Sequence, residues 1–254
     1  MKSYQIYCSD LDEVKFVDYD MLTPLGGKES WVDIWISNIN AEYEDSAFLN
    51  HDERRRAGKF KFDHLKNNYI YCRSTLRKIL ASYIGEAPPE IQIKYMENGK
   101  PFLVSDSKKL DFNLSHSGDK LIVACSNKSI GADIEYINPK FDYQSVSNNF
   151  FTENEIIEIG NQDQAMARLA LFFKYWTRKE AILKETGIGL SKNLKKVSVL
   201  NGHNEYPMDN HEVDKVVKSD YHLISFMVSE SYPASIALKE SVRKIKFLRT
   251  DRLE

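Results

Sequence analysis

Hydrophobic spacing along the chain predicts strands and helices in an irregular order. Alternating, aromatic-rich residues 31–36 predict a first strand. Apolar residues at helical spacing predict a helix over about residues 65–83, which ends at Gly85 with prolines just beyond. The strongest helical pattern covers about residues 164–185 and ends at Gly187. The pattern therefore indicates two long helices set among short strands.

Shorter elements lie between and after these helices. Helices are predicted from about Asn50 and from about Thr152, where Thr152 and Glu155 fit a capping box. Strands are predicted over residues 91–95, 121–125, 130–137, 222–228 and 235–239. The Asn- and Ser-rich stretch before Thr152 is predicted to be a loop, and residues 201–221 and the basic tail from Arg243 to be solvated surface. Mixed strands and helices without regular alternation favour an α+β fold over a doubly wound sheet.

Composition excludes several functional classes. Hydrophobic residues make up 42% of the chain and the formal net charge is −2, so no basic excess points to nucleic acid. Two of the three cysteines, Cys72 and Cys125, lie in apolar stretches, which predicts buried thiols. The three cysteines are far apart without CxxC spacing, and a reduced, cytoplasmic protein is the simplest interpretation. The sequence has no signal core and no stretch near the roughly 20 apolar residues of a membrane span. We therefore expect no nucleic-acid or membrane partner.

Two carboxylates stand on the strand predicted over residues 130–137. The period of a strand places Asp133 and Glu135 on one face, about 7 Å apart, with Ile130, Ala132 and Ile134 on the other. Paired carboxylate oxygens suit Mg²⁺, which completes its shell with water and phosphate. The alternative is an ordinary solvent-facing strand edge.

A second pair of charged residues lies on the last long helix. Glu180 and Lys184 are one turn apart and share a face with Trp176. Taken alone, this spacing is most typical of a surface ion pair, worth a few tenths of a kcal/mol.

Two loops carry groups that can bind an anion. Residues 113–118 offer small polar side chains, with Ser115 and His116 at the centre, after an apolar strand. The tight turn at residues 98–101 presents Lys100. Adjacent Ser and His do not make a hydrolase dyad, and the GxSxG elbow is absent. The alternatives are a structural histidine and a plain turn.

Order and spacing make these weak signals specific. The chain contains, in sequence, NGKPFL, FNLSHSGD, IGADIE, FFTENE and WTRKEAILKETGIGL. This series closely resembles the 4′-phosphopantetheinyl transferases of the surfactin-type (Sfp-like) class, over about residues 53–198.

The resemblance implies a fold and an activity. It implies two similar α+β subdomains related by pseudo-two-fold symmetry, residues 1–128 with basic groups for coenzyme A and residues 129–254 with carboxylates for Mg²⁺. It also implies a monomeric enzyme. The implied reaction moves the phosphopantetheine arm of coenzyme A to a serine of an apo acyl or peptidyl carrier protein and releases adenosine 3′,5′-bisphosphate. The carrier is expected to dock near residues 150–170. The alternative is a non-catalytic protein that binds coenzyme A or an ADP-type nucleotide.

The resemblance also implies roles for single residues. Mg²⁺ would be held by Asp133, Glu135 and Glu180, with Glu180 also the base that accepts the serine proton, directly or through a metal-bound water. Lys184 would contact the phosphates and stabilise the leaving group. The implied contacts to coenzyme A are Arg56, Lys100, Pro101, Ser115, His116 and Lys184. A further basic residue of some family members is replaced here by Asn68.

Overall fold

The computed structural model describes residues 3–25, 27, 29–40, 42–43, 45–104, 110–187, 192–207, 217 and 219–253. Its helices are α1 (His51–Ala57), α2 (Asp63–Ile84), α3 (Tyr143–Phe150), α4 (Glu153–Gly160) and α5 (Ala165–Thr186). Its strands are β1 (Ser3–Asp10), β2 (Trp31–Asn38), β3 (Ile93–Tyr95), β4 (Pro101–Leu103), β5 (Asp111–Ser117), β6 (Lys120–Ser126), β7 (Ile130–Ile134), β8 (Gly202–Pro207), β9 (Tyr221–Ser229), β10 (Tyr232–Leu238) and β11 (Lys244–Arg249). The end of the last sequence motif, residues 188–190, lies outside the described residues. So do ten of the 21 residues of the predicted surface stretch 201–221, namely residues 208–216 and 218.

Four layers build the described part of the chain. A five-stranded sheet in the order β7-β10-β9-β1-β8 lies against a four-stranded sheet in the order β11-β2-β6-β5, and β3 pairs with β4. Apolar side chains such as Ile34 and Ile236 fill the space between the two larger sheets. Helix α2 packs on the outer face of the four-stranded sheet through Leu76 and Leu80, and α5 packs on the five-stranded sheet through Ile182. The α+β prediction is confirmed.

The two long helices have the same length and the same ending. Each has 22 residues and ends at a glycine in the left-handed region, Gly85 at φ 81° and Gly187 at φ 68°. Glycine adopts this conformation without a steric penalty, which is why it ends helices so often. Both helix ends predicted from the sequence are confirmed.

The chain passes from one sheet to the other between β6 and β7. Both terminal strands join the sheet of the opposite half: β1 pairs parallel with β9, and β11 pairs parallel with β2. The division into residues 1–128 and 129–254 therefore stays a prediction.

The prediction of a loop over residues 113–118 is wrong for residues 113–117, which lie in β5 and pair with the adjacent β6.

Three further segments differ from their sequence-based interpretation because they pair with strands distant in sequence. Residues Ser3–Asp10 form a strand that the pattern did not reveal. The prediction that the basic tail is solvated surface is wrong for β11, because Phe247 and Leu248 are buried in the four-stranded sheet. Gly202–Pro207, predicted as solvated surface, pairs antiparallel with β1. In each case a partner strand far away in sequence supplies the hydrogen bonds.

The loop predicted before Thr152 contains helix α3. The side chain of Asp142 caps this helix by accepting a hydrogen bond from the backbone N–H of Gln144. Tyr143, Val146 and Phe150 pack against the core at helical spacing. This burial outweighs the low helix propensity of the intervening Asn and Ser residues.

The three cysteines are free and buried, which confirms the predicted burial of Cys72 and Cys125. Burial raises the pKa of Cys8 and of Cys72 to about 12, so both are thiols at neutral pH. Within the described ranges, no helix has the length and apolar character needed to cross a membrane.

Helix α5 and strand β7 lie in close backbone contact at Gly131. A Cβ atom at Gly131 would lie 2.0 Å from the carbonyl oxygen of Ala181 and 2.5 Å from the backbone nitrogen of Glu185. Both atoms belong to the backbone of α5 and cannot move aside as a side-chain end could. Only glycine at this position lets the helix lie directly on the strand.

We predict that Gly131→Ala lowers the free energy of unfolding by about 2 kcal/mol or more, because an inserted methyl group overpacks the contact. Urea denaturation measures the change. Gly160→Ala is the matched control, since no heavy atom lies within 4 Å of its added Cβ. Equal stabilities of the two variants would contradict the prediction.

Candidate active site

Polar side chains of β5 join the two large sheets along one seam. Strand β5 is an edge of the four-stranded sheet and β7 an edge of the five-stranded sheet. A carboxylate oxygen of Asp111 accepts from the backbone N–H of Ile130 at 3.0 Å, and the amide oxygen of Asn113 accepts from that of Ala132 at 3.1 Å. These side chains satisfy N–H groups that an edge strand leaves without backbone partners.

The same row of β5 side chains continues to the two carboxylates of the DxE motif. The hydroxyl of Ser115 donates to Asp133 at 2.9 Å, and the hydroxyl of Ser117 donates to Glu135 at 2.9 Å. Ser117 also accepts a hydrogen bond from the backbone N–H of Tyr136 at 3.0 Å. Each carboxylate from one sheet is therefore oriented by a serine from the other.

Lys184 approaches this seam from α5. Its Nζ atom lies 2.7 Å from Oδ1 of Asp133 and 2.7 Å from the hydroxyl of Ser115. The alternative of a surface ion pair between Lys184 and Glu180 is thus wrong, because the lysine pairs with the buried carboxylate of Asp133. The tertiary structure brings together Ser115, Asp133, Glu135, Glu180 and Lys184.

Burial raises the pKa of all three carboxyl groups, and the charge of Asp133 adds to the shift at Glu135 and Glu180. Burial, followed by the charge of Asp133, raises the pKa of Glu180 to about 7. Burial raises the pKa of Asp133, although the Lys184 ammonium group opposes the shift. Burial and the charge of Asp133 also raise the pKa of Glu135. A cluster of carboxyl groups with raised pKa values is a candidate functional site.

The donor set fits a hard divalent cation. Oδ2 of Asp133 is buried and has no hydrogen-bond partner among the described residues, and Glu135 and Glu180 bring further negative charge to it. In the described part of the chain, no group of three or more His, Cys, Asp or Glu side chains stands in an arrangement that could already hold a metal ion. The fit to Mg²⁺ rests instead on the chemistry of the donors, which are carboxylates that include one buried oxygen without a partner.

A cavity of about 310 Å³ opens beside this cluster. One wall is the C-terminal half of α5 and the other comes from α2, β5 and the turn before β4. Its lining residues are Arg73, Asn98, Gly99, Lys100, Pro101, Asn113, Leu114, Glu180, Leu183, Lys184 and Gly187. Its position between elements of both halves is typical of a ligand site.

Lys100 lies in the cavity wall with its ammonium group turned into the protein. Its Nζ atom is 3.2 Å from the carbonyl oxygen of Glu185, 3.3 Å from that of Ile130 and 3.4 Å from a carboxylate oxygen of Asp111. The carbonyl of Glu185 belongs to the last turn of α5, where a cation is favourable. Lys100 thus ties the turn to α5 and β7, and its contact with coenzyme A stays a prediction.

Of the other residues predicted to contact coenzyme A, some line the cavity and others lie outside it. Pro101 lines it and is half-buried. His116 lies beside the cluster with part of its surface open to solvent, and partial desolvation of its ring together with the Lys184 charge lowers its pKa, which favours the neutral ring at pH 7. Arg56 is exposed, with its guanidinium group 5.4 Å from the ring centroid of Tyr69, and is absent from the lining residues described above.

Sequence reasoning missed several residues of the site. Arg73 lines the cavity and is paired at 2.6 Å with Glu53 of α1. Asp111, Asn113 and Ser117 hold the seam, and their alternation with Ser115 along β5 was the signal that could have revealed them. No comparable signal marks Arg73.

Comparisons with known proteins agree with this architecture. The sequence model described as the 4′-phosphopantetheinyl transferase superfamily matches residues 129–237, and the one described as 4′-phosphopantetheinyl transferase, N-terminal, matches residues 36–128. The 4′-phosphopantetheinyl transferase HetI of Nostoc is 37% identical over 58% of this chain and 63% of its own length. A phosphopantetheinyl transferase of Thraustochytrium is 32% identical over 69% of this chain and 66% of its own length.

Against these two relatives the match spans slightly less than two thirds of their length. The match to the 4′-phosphopantetheinyl transferase psf-1 of Bacillus pumilus is longer, with 30% identity over 68% of this chain and 73% of the relative. With both halves matched by family models and this relative covered over more than two thirds of its length, the chain belongs to the 4′-phosphopantetheinyl transferase family.

Proposed function

We propose that this protein transfers the 4′-phosphopantetheine moiety of coenzyme A to a serine of an apo acyl or peptidyl carrier protein. The products are the holo carrier and adenosine 3′,5′-bisphosphate. The observation that carries the proposal is the meeting of Asp133, Glu135, Glu180 and Lys184 at one end of the cavity. Carboxylates that suit a cation, together with a lysine, are what the transfer of a charged phosphoryl group requires.

The proposed reaction assigns a task to each group. The serine oxygen forms a bond to the phosphorus next to the pantetheine arm, and the bond from that phosphorus to the bridging oxygen breaks. Glu180 is the proposed acceptor of the serine proton, because its carboxylate accepts no hydrogen bond among the described residues. Lys184 stabilises the negative charge that accumulates on the departing 5′-phosphate.

Asp133, Glu135 and Glu180 would hold Mg²⁺, which when bound neutralises charge on the diphosphate. Ser115 and Ser117 fix the directions of two of these carboxylates before any ligand arrives. Such preorganisation lowers the reorganisation needed during the reaction.

The finer assignments are also proposals. We assign the chain to the surfactin-type class and expect a monomer in the cytoplasm. In the expected carrier-docking region, Met166 is 52% exposed and available to a partner, whereas Phe151 is fully buried in the core. Phe150 is half-buried and packs edge-on against Trp176. Met166 is therefore the better candidate for carrier contact.

The transfer activity is tested by incubating the protein with coenzyme A, Mg²⁺ and several apo carrier proteins. We expect intact-mass spectrometry to show one phosphopantetheine added to a carrier serine. Binding of coenzyme A without a mass gain on any carrier would instead favour a non-catalytic nucleotide-binding protein.

We predict that Asp133→Asn and Glu135→Gln each lower kcat by roughly 10²-fold or more, the scale of losing one preorganised electrostatic contact. Both changes keep the size of the side chain and remove the charge. Glu240→Gln is the control, because Glu240 pairs with Lys128 at the surface. Retained activity after removal of divalent metal by a chelator would contradict the metal assignment.

We predict that His116→Ala and Lys100→Met have different effects. His116→Ala should raise the KM for coenzyme A roughly 10-fold, the scale of one hydrogen bond to a charged group, and leave the melting temperature unchanged. Lys100→Met should lower the melting temperature, because three acceptors lose their buried donor.

Dephospho-coenzyme A separates the two roles further, since it lacks the 3′-phosphate that His116 is expected to contact. With this substrate, wild type and His116→Ala should have similar KM values. A large additional loss for the variant would remove His116 from the 3′-phosphate.

A further inference from the structure

We propose that the Lys184 ammonium group pairs with Asp133 in the metal-free protein, and that it leaves Asp133 and pairs with the diphosphate of coenzyme A when a divalent cation binds. Metal and coenzyme A would then bind cooperatively, each weakly alone and tightly together. The inference rests on the proposed function and adds to it an order of events in the same site.

The first step of the argument is the burial of Asp133. Its side chain is 4% exposed, and a carboxylate at such a position needs a compensating cation. Within the described residues, the Lys184 ammonium group at 2.7 Å is the cation paired with it. Lys184 and Ser115 share Oδ1, which leaves Oδ2 without a hydrogen-bond partner in the described part of the chain.

The second step is the position of Lys184. Lys184 and Lys100 both line the cavity, but the side chain of Lys184 is 30% exposed, whereas that of Lys100 is 6% exposed and held by three acceptors. Lysine carries a point charge on a flexible stem. A change of side-chain rotamer can therefore move the ammonium group from Asp133 toward an anion in the cavity without movement of α5.

The third step is electrostatic. A divalent cation on Asp133 would lie within a few ångströms of the Lys184 ammonium group, and like charges at that separation repel strongly outside bulk water. A diphosphate in the cavity attracts the ammonium group and removes this repulsion. By thermodynamic reciprocity, the metal then strengthens diphosphate binding by the same factor.

The test is direct binding of Mn²⁺, a spectroscopic substitute for Mg²⁺, in the absence of any carrier protein. Free Mn²⁺ is measured by electron paramagnetic resonance with and without coenzyme A, and protein-free samples correct for Mn²⁺ bound to coenzyme A in solution. All variants are measured at the same pH, pH 8. Because no acceptor serine is present, coenzyme A is not consumed.

The variants are Lys184→Met and Lys184→Gln, with Lys239→Met as the matched control. Lys239 pairs with Glu185, the neighbour of Lys184, at 3.2 Å, so its removal deletes the same charge from the same region. Circular dichroism and thermal denaturation check folding. If Lys184→Met does not fold, Lys184→Gln, whose amide can still donate to Asp133, takes its place.

In the absence of coenzyme A, we expect Lys184→Met to bind Mn²⁺ roughly 10-fold more tightly than wild type, within the usual range of coupling between ligands. Coenzyme A should tighten Mn²⁺ binding in wild type and in Lys239→Met, and much less in Lys184→Met. Equal affinities of wild type and Lys184→Met for Mn²⁺ alone, or full coupling retained in Lys184→Met, would overturn the proposal.

The outcome is independent of catalysis. Transfer to a carrier without cooperative binding would refute the exchange and leave the proposed function intact. Cooperative binding without transfer would support the exchange and refute the proposed function.

Discussion

The row of polar side chains on β5 is the interaction on which the site depends. Two sheets that meet at their edges would leave the outer N–H groups of β7 without partners, and Asp111 and Asn113 supply the acceptors. Further along the same strand, Ser115 and Ser117 orient the two carboxylates. Because alternate side chains of a strand lie on the same face, one face of β5 both attaches the two halves to each other and sets the geometry of the candidate site.

Helix α5 completes the site because buried charges fix its position. Lys179 of α5 forms an ion pair at 2.9 Å with Glu155, and both side chains are fully buried. The Lys179 ammonium group also donates to the carbonyl oxygens of Leu194 and Val197. Removing one member of such a pair would leave an uncompensated charge in the core. Together with the close contact at Gly131, this network sets where Glu180 and Lys184 face β7.

The site itself is electrostatically unfavourable in the absence of ligands. Burial raises the pKa of all three carboxyl groups, the charge of Asp133 adds to the shift at Glu135 and Glu180, and the Lys184 ammonium group, paired with Asp133, opposes these shifts. Natural proteins accept such local conflict at functional sites, where a ligand later relieves it. Under the proposed function, a bound cation would neutralise the carboxylates and a bound diphosphate would offset the charge of Lys184.

The sequence by itself determined the local features of this protein. The ends of α2 and α5 follow from glycines that adopt positive φ, and the shared face of Asp133 and Glu135 follows from the strand period. The tertiary structure alone decided which residues and strands pair with one another. Lys184 pairs with Asp133 rather than Glu180, and Lys100 binds the last turn of α5. Strands β1 and β11 join the sheets of the opposite halves. Period and capping act over a few residues, whereas these partners are separated by 51, 85 and more residues along the chain, and only packing brings them together.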